Sequence, residues 1–226
     1  AVAGNEKRAA AGLTRQNWKS AVLIVLAFVG IYIVRTVVSV AVQGVSDGSG
    51  MQYVKEWAAM FKNPMMWLNI AALPINYFFV FIAFFGEEYG WRYYLQPVLQ
   101  KRFGLRAGVI ILGVVWGLWH IPDDLFYYTQ TSGIQMIFAQ QITCISLGIF
   151  FAYAYMKTQN IWVPVCLHYL NNNLIPIISG TFSADVLENQ TVSWKDLPVA
   201  LVLNGLCFGF FLLADVFKKK EVQEEE

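Results

Sequence analysis

Long apolar stretches restrict the fold of this chain more than any other feature. A transmembrane helix needs about 20 mostly apolar residues, and only 14% of the 226 residues are charged, against about 25% in soluble domains. The stretches long enough to span a bilayer are 21–42, 65–86, 134–156, 161–179 and 198–217. A further stretch, 107–122, spans only if its helix continues through 125–128. Because none of them alternates as a barrel strand does, we predict an all-α fold, a polytopic transmembrane helical bundle of about six spans.

Lysine and arginine residues predict the orientation of this bundle. Cytoplasmic segments of membrane proteins carry an excess of both residue types. With the N-terminus in the cytoplasm, the outside segments hold only Lys55, Lys62 and Lys195. The twelve inside residues are Lys7, Arg8, Arg15, Lys19, Arg92, Lys101, Arg102, Arg106, Lys157, Lys218, Lys219 and Lys220. We therefore expect both termini to be cytoplasmic, in a multi-pass protein of the cell membrane.

One transmembrane domain is expected at 21–217, after a polar, basic segment at 1–20 and before a charged tail at 218–226. The stretch 21–42 is too long for a signal-peptide core, so we expect it to be retained as an anchor. A net charge of +1 gives no sign of a nucleic-acid partner. The expected partners are membrane lipids and a peptide.

The three cysteines, Cys144, Cys166 and Cys207, lie apart in apolar runs. Such spacing makes neither a disulfide framework nor a zinc pattern, so we expect them to be packing residues.

Two glutamates and an arginine end the second apolar stretch. Glu88 has Arg92 at i+4, the favourable acid-before-base order for an ion pair on a helix. Glu87 has Trp91 at that position and points about 100° away from Glu88. A carboxylate without a dedicated cation in apolar surroundings suits general-base work. The alternative is that all three residues form a solvated cap where the helix leaves the membrane.

Both histidines of the chain also lie in apolar stretches. His120 follows Trp116 at i+4, so the two rings share a helix face; alternatively, His120 lies at the outer headgroups. His168 and Asn172 are likewise four residues apart; inter-helix hydrogen bonding is the alternative there. Glu87 and His120 lie at similar distances from the basic turn at 101–106, although Pro97 is expected to break the helix between. Ionisable groups are costly in hydrocarbon, which favours one shared polar pocket able to hold and activate water.

These residues resemble the motifs of a known family. Residues 87–92 match the EExxxR motif of the CAAX protease and bacteriocin-processing family, the Abi family of intramembrane proteases. Residues 116–120 resemble its FxxxH motif with Trp116 in place of Phe, and 168–172 match its HxxxN motif. The resemblance covers about 65–179, which would be the catalytic core.

The resemblance implies an intramembrane endopeptidase that hydrolyses a peptide bond in a membrane-associated peptide, including a prenylated CAAX-type peptide, without a cofactor. Glu87 would activate water and His120 would orient it. His168 and Asn172 would stabilise the oxyanion. Glu88, Arg92 and Trp116 would shape the site.

Other functions remain open from the sequence. Two histidines and a glutamate could hold a catalytic zinc ion, although no HExxH motif is present. The same scaffold could bind a peptide without cutting it, as a bacteriocin-immunity or scaffold protein. A transporter with intramembrane carboxylates would be expected to show an internal repeat, and the sequence has none.

Overall fold

The computed structural model describes residues 12–13, 16–47, 50–180 and 184–218. Within these residues the chain is helical and contains no strand, so the predicted all-α class is confirmed. The α-helices are α1 (Trp18–Asp47), α2 (Gly50–Met60), α3 (Pro64–Glu88), α4 (Gln96–Phe103), α5 (Leu105–Trp119), α6 (Ile121–Phe126), α7 (Gly133–Thr158), α8 (Trp162–Ser179), α9 (Ala184–Glu188) and α10 (Asp196–Cys207). Most of the segment 1–20 and of the tail 218–226 lies outside the described residues.

Four helical segments of the described chain are long and apolar enough to cross a membrane: Trp18–Val42, Pro64–Phe103, Leu105–Phe126 and Gly133–Thr158. The chain is therefore a multi-pass membrane protein. The third segment shows that the stretch beginning at 107 does extend, although it ends at Phe126 rather than at residue 128. The count of six spans and the position of the termini stay predictions.

The two remaining predicted spans differ in their helices. Helix α8 covers the stretch 161–179 almost completely, but its histidine and asparagines lower its hydropathy. The stretch 198–217 is not one helix, because α10 ends at Cys207 and two short 3₁₀ turns follow, Gly209–Leu213 and Asp215–Phe217. Gly205 and Gly209 flank this break, and glycine is a poor residue for a helix interior.

The segment from Pro64 to Phe103 contains a π-helical turn at Tyr89–Leu95, between α3 and α4. The predicted break at Pro97 is therefore wrong. In this turn the Gln96 N–H donates to the Trp91 carbonyl five residues back, and Pro97 follows at the first turn of α4. A proline is tolerated there because the wider turn already departs from the α-helical hydrogen-bond ladder. Such turns are common at functional sites, and this one begins directly after Glu88.

Aromatic and aliphatic side chains fill the centre of the bundle, among them Phe28, Phe150 and Phe151, each fully buried. Helices α5 and α7 come into direct backbone contact at Gly113. A Cβ added to Gly113 would lie 2.6 Å from the Ile145 Cα atom. Small residues that permit such close approach are typical of helix contacts in membranes.

The two ends of the bundle differ in charge. Asn17 Nδ2 donates to the Thr158 carbonyl at 3.1 Å, and Gln100 Nε2 lies 3.3 Å from Met156 Sδ. The start of α1, the end of α4 and the end of α7 therefore meet. We call this the basic end, with the exposed side chains Lys19, Lys101, Arg102, Arg106 and Lys157. Arg92, which the sequence placed in a cytoplasmic segment, is instead fully buried within the bundle.

Candidate active site

A buried ion-pair cluster joins α3 to α8. Glu88 Oε2 accepts from Arg92 Nε at 2.9 Å, and Glu88 Oε1 accepts from His168 Nδ1, also at 2.9 Å. Glu88 and Arg92 have no exposed surface, and His168 is 2% exposed. The predicted ion pair between Glu88 and Arg92 is therefore present, and it is not a solvated cap. His168, which is 80 residues from Glu88 in sequence, is the third member of this cluster.

The charged guanidinium of Arg92 lies between aromatic side chains. Its guanidinium carbon lies 5.3 Å from the centroid of the Trp116 ring and 5.4 Å from that of Phe151. Both terminal nitrogens, Nη1 and Nη2, are buried and have no hydrogen-bond partner among the described residues. Cation–π attraction to the two rings compensates part of the lost hydration. Arg92 is thus fixed below the Trp116 ring rather than free to reach solvent.

The hydrogen bonds of the two histidines determine which ring nitrogen carries a proton. His120 Nδ1 lies 2.9 Å from the Trp116 carbonyl, which only accepts, so Nδ1 is the donor. His168 Nδ1 faces a carboxylate that already pairs with Arg92, so it is the donor there as well. In each neutral ring, Nε2 is therefore the unprotonated nitrogen and can accept a hydrogen bond. The Trp116 ring lies beside both, with centroid distances of 5.7 Å to His120 and 5.3 Å to His168.

A polar cavity of about 380 Å³ opens beside these rings. Four predicted site residues line it: Trp116, His120, His168 and Asn172. The other lining residues are Tyr128, Met136, Gln140, Thr143, Cys144, Leu147, Asn171, Pro176, Leu187 and Gln190. The structure thus brings the second and third motifs together from α5 and α8. Glu88 and Arg92 contact this wall from behind, through His168 and Trp116.

The three consecutive asparagines of α8 have different partners. Asn171 and Asn172 line the cavity, and Asn171 Nδ2 donates to Asn172 Oδ1 at 2.9 Å. Asn173 lies on another face, where its Oδ1 accepts from Asn76 Nδ2 at 3.2 Å. Because its Oδ1 is engaged by Asn171, Asn172 has its Nδ2 group available as a donor.

Glu87 is half-buried and is not among the residues that line the cavity. Its carboxylate has no hydrogen bond or ion pair with the described residues, as the sequence predicts for the acid without a cation at i+4. Glu87 directly precedes Glu88, whose carboxylate bonds His168 in the cavity wall. Glu87 is thus the unpaired acid beside the site, and Glu88 is the paired one.

Several residues of the site were missed by the sequence analysis. Tyr32, in the first span, donates from its hydroxyl to Asn171 Oδ1. Cys144, predicted to be a packing residue, lies in the cavity wall with Sγ 3.8 Å from His120 Nδ1. That contact does not make a nucleophilic dyad, because His120 Nδ1 already donates to a carbonyl and cannot accept the thiol proton. No local spacing signals either residue, since both meet the site only through helix packing.

Tyr128 lines the cavity from the loop between α6 and α7, outside the spanning segments. Burial, together with the nearby charges of Asp123 and Asp124, raises the pKa of Tyr128 to about 12. Its hydroxyl therefore stays protonated and remains a hydrogen-bond donor throughout the physiological pH range.

Metal-ligating side chains are not clustered in this region. No group of three His, Cys, Asp or Glu side chains among the described residues is arranged to hold a metal ion. The two histidines are separated by the Trp116 ring, which contacts both.

The fold and the site together define a helical membrane protein with a buried acid–arginine–histidine cluster behind a polar cavity. A family model described as type II CAAX prenyl endopeptidase, Rce1-like, matches residues 67–174. The resemblance indicated by the three motifs is therefore confirmed: residues 67–174, which contain all three, are similar to this family.

A curated relative extends the comparison. The chain is 27% identical over 125 residues to a protein named CAAX prenyl protease 2 from Methanococcus maripaludis. The aligned part covers 51% of this chain and 45% of the relative, so the chain spans about half the length of the relative that it matches. No solved structure matches the chain.

Proposed function

We propose that this chain is an intramembrane peptidase that hydrolyses a peptide bond in a membrane-associated peptide with a glutamate-activated water. The observation that carries the proposal is the convergence of His120, His168 and Asn172 on one polar cavity, with the unpaired Glu87 directly before Glu88, which bonds His168. Each of these residues comes from a family motif within the matched segment 67–174. The name of the Methanococcus relative supports a peptidase activity.

The reaction begins with water, which is a weak nucleophile until a base removes a proton. The Glu87 carboxylate takes that proton, and His120 Nε2 accepts a hydrogen bond that orients the water. The oxygen attacks the scissile carbonyl carbon, and the carbonyl oxygen becomes an oxyanion. Glu87 then returns the proton to the amide nitrogen as the carbon–nitrogen bond breaks.

The oxyanion is stabilised by donors that are in place before the reaction. Asn172 offers its Nδ2 group, which its bond with Asn171 leaves available. His168 Nε2 is a donor only when the ring is protonated, because Nδ1 already carries the proton that bonds Glu88. A pre-oriented donor in a site of low dielectric constant contributes about 2.7–4 kcal/mol to barrier lowering. Glu88 and Arg92 hold the His168 ring in this orientation.

We also propose that the substrate is a lipidated peptide. A relative named for CAAX prenyl proteolysis supports a peptide with a lipid attached close to the cleaved bond. A protein embedded in the bilayer is suited to such a substrate, because the lipid can remain in hydrocarbon while the peptide enters the polar cavity.

Digestion of a peptide library in proteoliposomes tests the proposal. Lipidated and unlipidated peptides are incubated with the wild-type protein and with Glu87→Gln, and new termini are identified by mass spectrometry. We expect cleavage products with the wild type that are absent with the variant. A broad library that shows no difference between the two proteins would refute the peptidase proposal and favour a non-proteolytic peptide-binding or immunity function.

The zinc alternative has its own test. A chelator is added to the purified protein, and the metal content is measured at the same time. The glutamate mechanism predicts that cleavage is unchanged and that zinc is not bound in stoichiometric amount. Stoichiometric zinc together with loss of cleavage on chelation would assign the water to a metal ion instead.

A further inference from the structure

The first span contains an arginine that the proposed reaction does not use. Arg35 is half-buried, and its Nε donates to Asn204 Oδ1 at 3.0 Å. Its guanidinium carbon lies 5.7 Å from the centroid of the Tyr32 ring. Its terminal nitrogens, Nη1 and Nη2, have no hydrogen-bond or ion-pair partner among the described residues. Because an arginine within a membrane is costly unless its charge is compensated, Arg35 marks a candidate binding site.

The amide that holds Arg35 also has a donor without an acceptor. Asn204 is 2% exposed, and its buried Nδ2 group has no hydrogen-bond partner among the residues that the structure describes. The orientation of this amide follows from its bond with Arg35, because a guanidinium only donates and the atom that faces it must be the oxygen. The contact between α1 and α10 is therefore rich in N–H donors and lacks an acceptor for them.

An apolar groove of about 480 Å³ lies between the same two helices. Its lining residues are Ala27, Gly30, Ile31, Val34, Leu206, Cys207 and Phe211. Gly30 leaves open space on the α1 side, because an added Cβ there would meet nothing within 4 Å. A groove lined in this way is suited to a hydrocarbon chain.

Arg35 and Asn204 lie one helical turn beyond the lining of this groove. On α1, Arg35 follows the lining residue Ile31 by four positions. On α10, Asn204 precedes the lining residue Cys207 by three positions. Residues three or four positions apart share a helix face. The bond between Arg35 and Asn204 therefore joins the two helices at the end of the groove, where Arg35 also presents its free Nη groups.

The direction of the groove matches that of a lipid in the bilayer. Arg35 lies seven residues, about 10 Å, before Val42, where the first span ends. A long arginine side chain can carry its charge from such a depth to the headgroups. From Arg35 the groove runs toward Ala27, and thus toward the middle of the span. Helix α10 follows the same course, because Phe208 packs against Phe28 with ring centroids 5.9 Å apart.

We infer that this groove binds one anionic phospholipid, with its phosphate on Arg35 and an acyl chain between α1 and α10. The guanidinium fork binds phosphate oxygens through two parallel N–H groups, and the bond from Asn204 fixes the fork at the end of the groove. No acidic side chain among the described residues pairs with Arg35, so the ligand supplies the negative charge. The site is separate from the polar cavity and does not depend on the peptidase proposal.

Native mass spectrometry of the purified protein in detergent tests this inference. Phosphatidylglycerol and phosphatidylcholine with identical acyl chains are titrated separately, and the Kd of the first bound lipid is measured. Arg35→Gln removes the charge, and Gly30→Leu fills the groove. Arg106→Gln is the control for charge, because Arg106 is exposed and does not line the groove. Gly86→Leu is the control for size, at another exposed glycine with open space around its Cβ position.

We expect the wild type to bind phosphatidylglycerol at least about tenfold more tightly than phosphatidylcholine, whose own cation offsets its phosphate. Arg35→Gln should weaken phosphatidylglycerol binding by at least about tenfold, and Gly30→Leu should weaken the binding of both lipids. The two control variants should stay within about twofold of the wild type.

Equal affinity of the wild type for the two lipids would overturn the inference, as would unchanged binding in Arg35→Gln or in Gly30→Leu. Displacement of phosphatidylglycerol by inorganic phosphate would show a site for free anions and would overturn the lipid assignment. If Arg35→Gln does not fold, the lipid preference of the wild type and the Gly30→Leu variant decide the question. Because no peptide is added, the result is independent of whether the protein cleaves one.

Discussion

His168 Nδ1 donates to Glu88 Oε1 at 2.9 Å, so the HxxxN motif is anchored to the second glutamate of the EExxxR motif. Arg92 Nε occupies the other oxygen of the same carboxylate. The two adjacent acids therefore differ in their surroundings. Glu88 is paired within the buried cluster, whereas Glu87 has no ion-pair partner among the described residues. The bond to Glu88 also fixes the His168 ring with Nε2 as its free nitrogen.

The buried cluster should be essential for stability. Replacing Glu88 by Gln removes the charge that compensates Arg92, whose terminal nitrogens already have no partner among the described residues. Breaking one partner of a buried ion pair typically costs about 3–5 kcal/mol. We expect a clearly lower midpoint of thermal unfolding for Glu88→Gln in detergent. Glu87→Gln, one residue away, should unfold at the wild-type temperature, and equal loss in both variants would contradict this assignment.

Asn172 should contribute to catalysis more than its neighbour Asn173. Asn172→Ala removes the cavity donor, and loss of one oxyanion donor typically lowers kcat about 10²–10³-fold. Asn173→Ala is the matched control, since Asn173 bonds Asn76 away from the cavity. Its kcat should stay within about threefold of the wild-type value, because the hydrogen bond that is lost is the same in the ground state and in the transition state. Equal losses in kcat for the two variants would show that the cavity does not contain the oxyanion site.

Tyr32 should position Asn172 from the first span. Its hydroxyl donates to Asn171 Oδ1, which leaves Asn171 Nδ2 directed at Asn172 Oδ1. Tyr32→Phe keeps the buried ring and removes this bond. Since such a bond contributes about 0.5–1.5 kcal/mol, we expect kcat to fall about twofold to tenfold with KM unchanged. A change in KM with kcat unchanged would place the effect on binding rather than on the orientation of the amide.

The close contact of α5 and α7 should be sensitive to a single methyl group. A Cβ at Gly113 would lie 2.6 Å from the Ile145 Cα atom, and a backbone atom cannot rotate away. Overpacking of this kind costs about 1–3 kcal/mol, so Gly113→Ala should lower the midpoint of thermal unfolding. Gly86→Ala is the control, because a Cβ there meets nothing within 4 Å. A Gly113→Ala protein as stable as Gly86→Ala would contradict this packing.

Local spacing predicted the parts of the site that depend on one helix. The ion pair of Glu88 with Arg92, the shared face of Trp116 and His120, and the unpaired state of Glu87 follow from positions four residues apart. The long apolar runs predicted the bounds of α3, α5, α7 and α8 within three residues. These features were accessible because helical geometry fixes the neighbours of a residue without knowledge of the rest of the fold.

Contacts between distant helices could not be predicted in the same way. The bond of His168 to Glu88, the hydroxyl of Tyr32 on Asn171 and the position of Cys144 near His120 all depend on how helices pack. The π-helical turn before Pro97 was missed because a proline ordinarily predicts a break, and only the widened hydrogen-bond ladder removes the conflict. The division of 198–217 into α10 and two 3₁₀ turns was likewise hidden within a uniformly apolar run.

The most direct test of the account is the rate of peptide cleavage by Glu87→Gln, measured in the same lipid and with the same peptide as the wild type. The substitution nearly preserves shape and removes the base, and general-base catalysis typically contributes about 10²–10⁴-fold. We predict a loss of that size in kcat with an unchanged midpoint of thermal unfolding. A folded Glu87→Gln protein that cleaves within about twofold of the wild-type rate would contradict the proposed role of Glu87 and, with it, the glutamate mechanism.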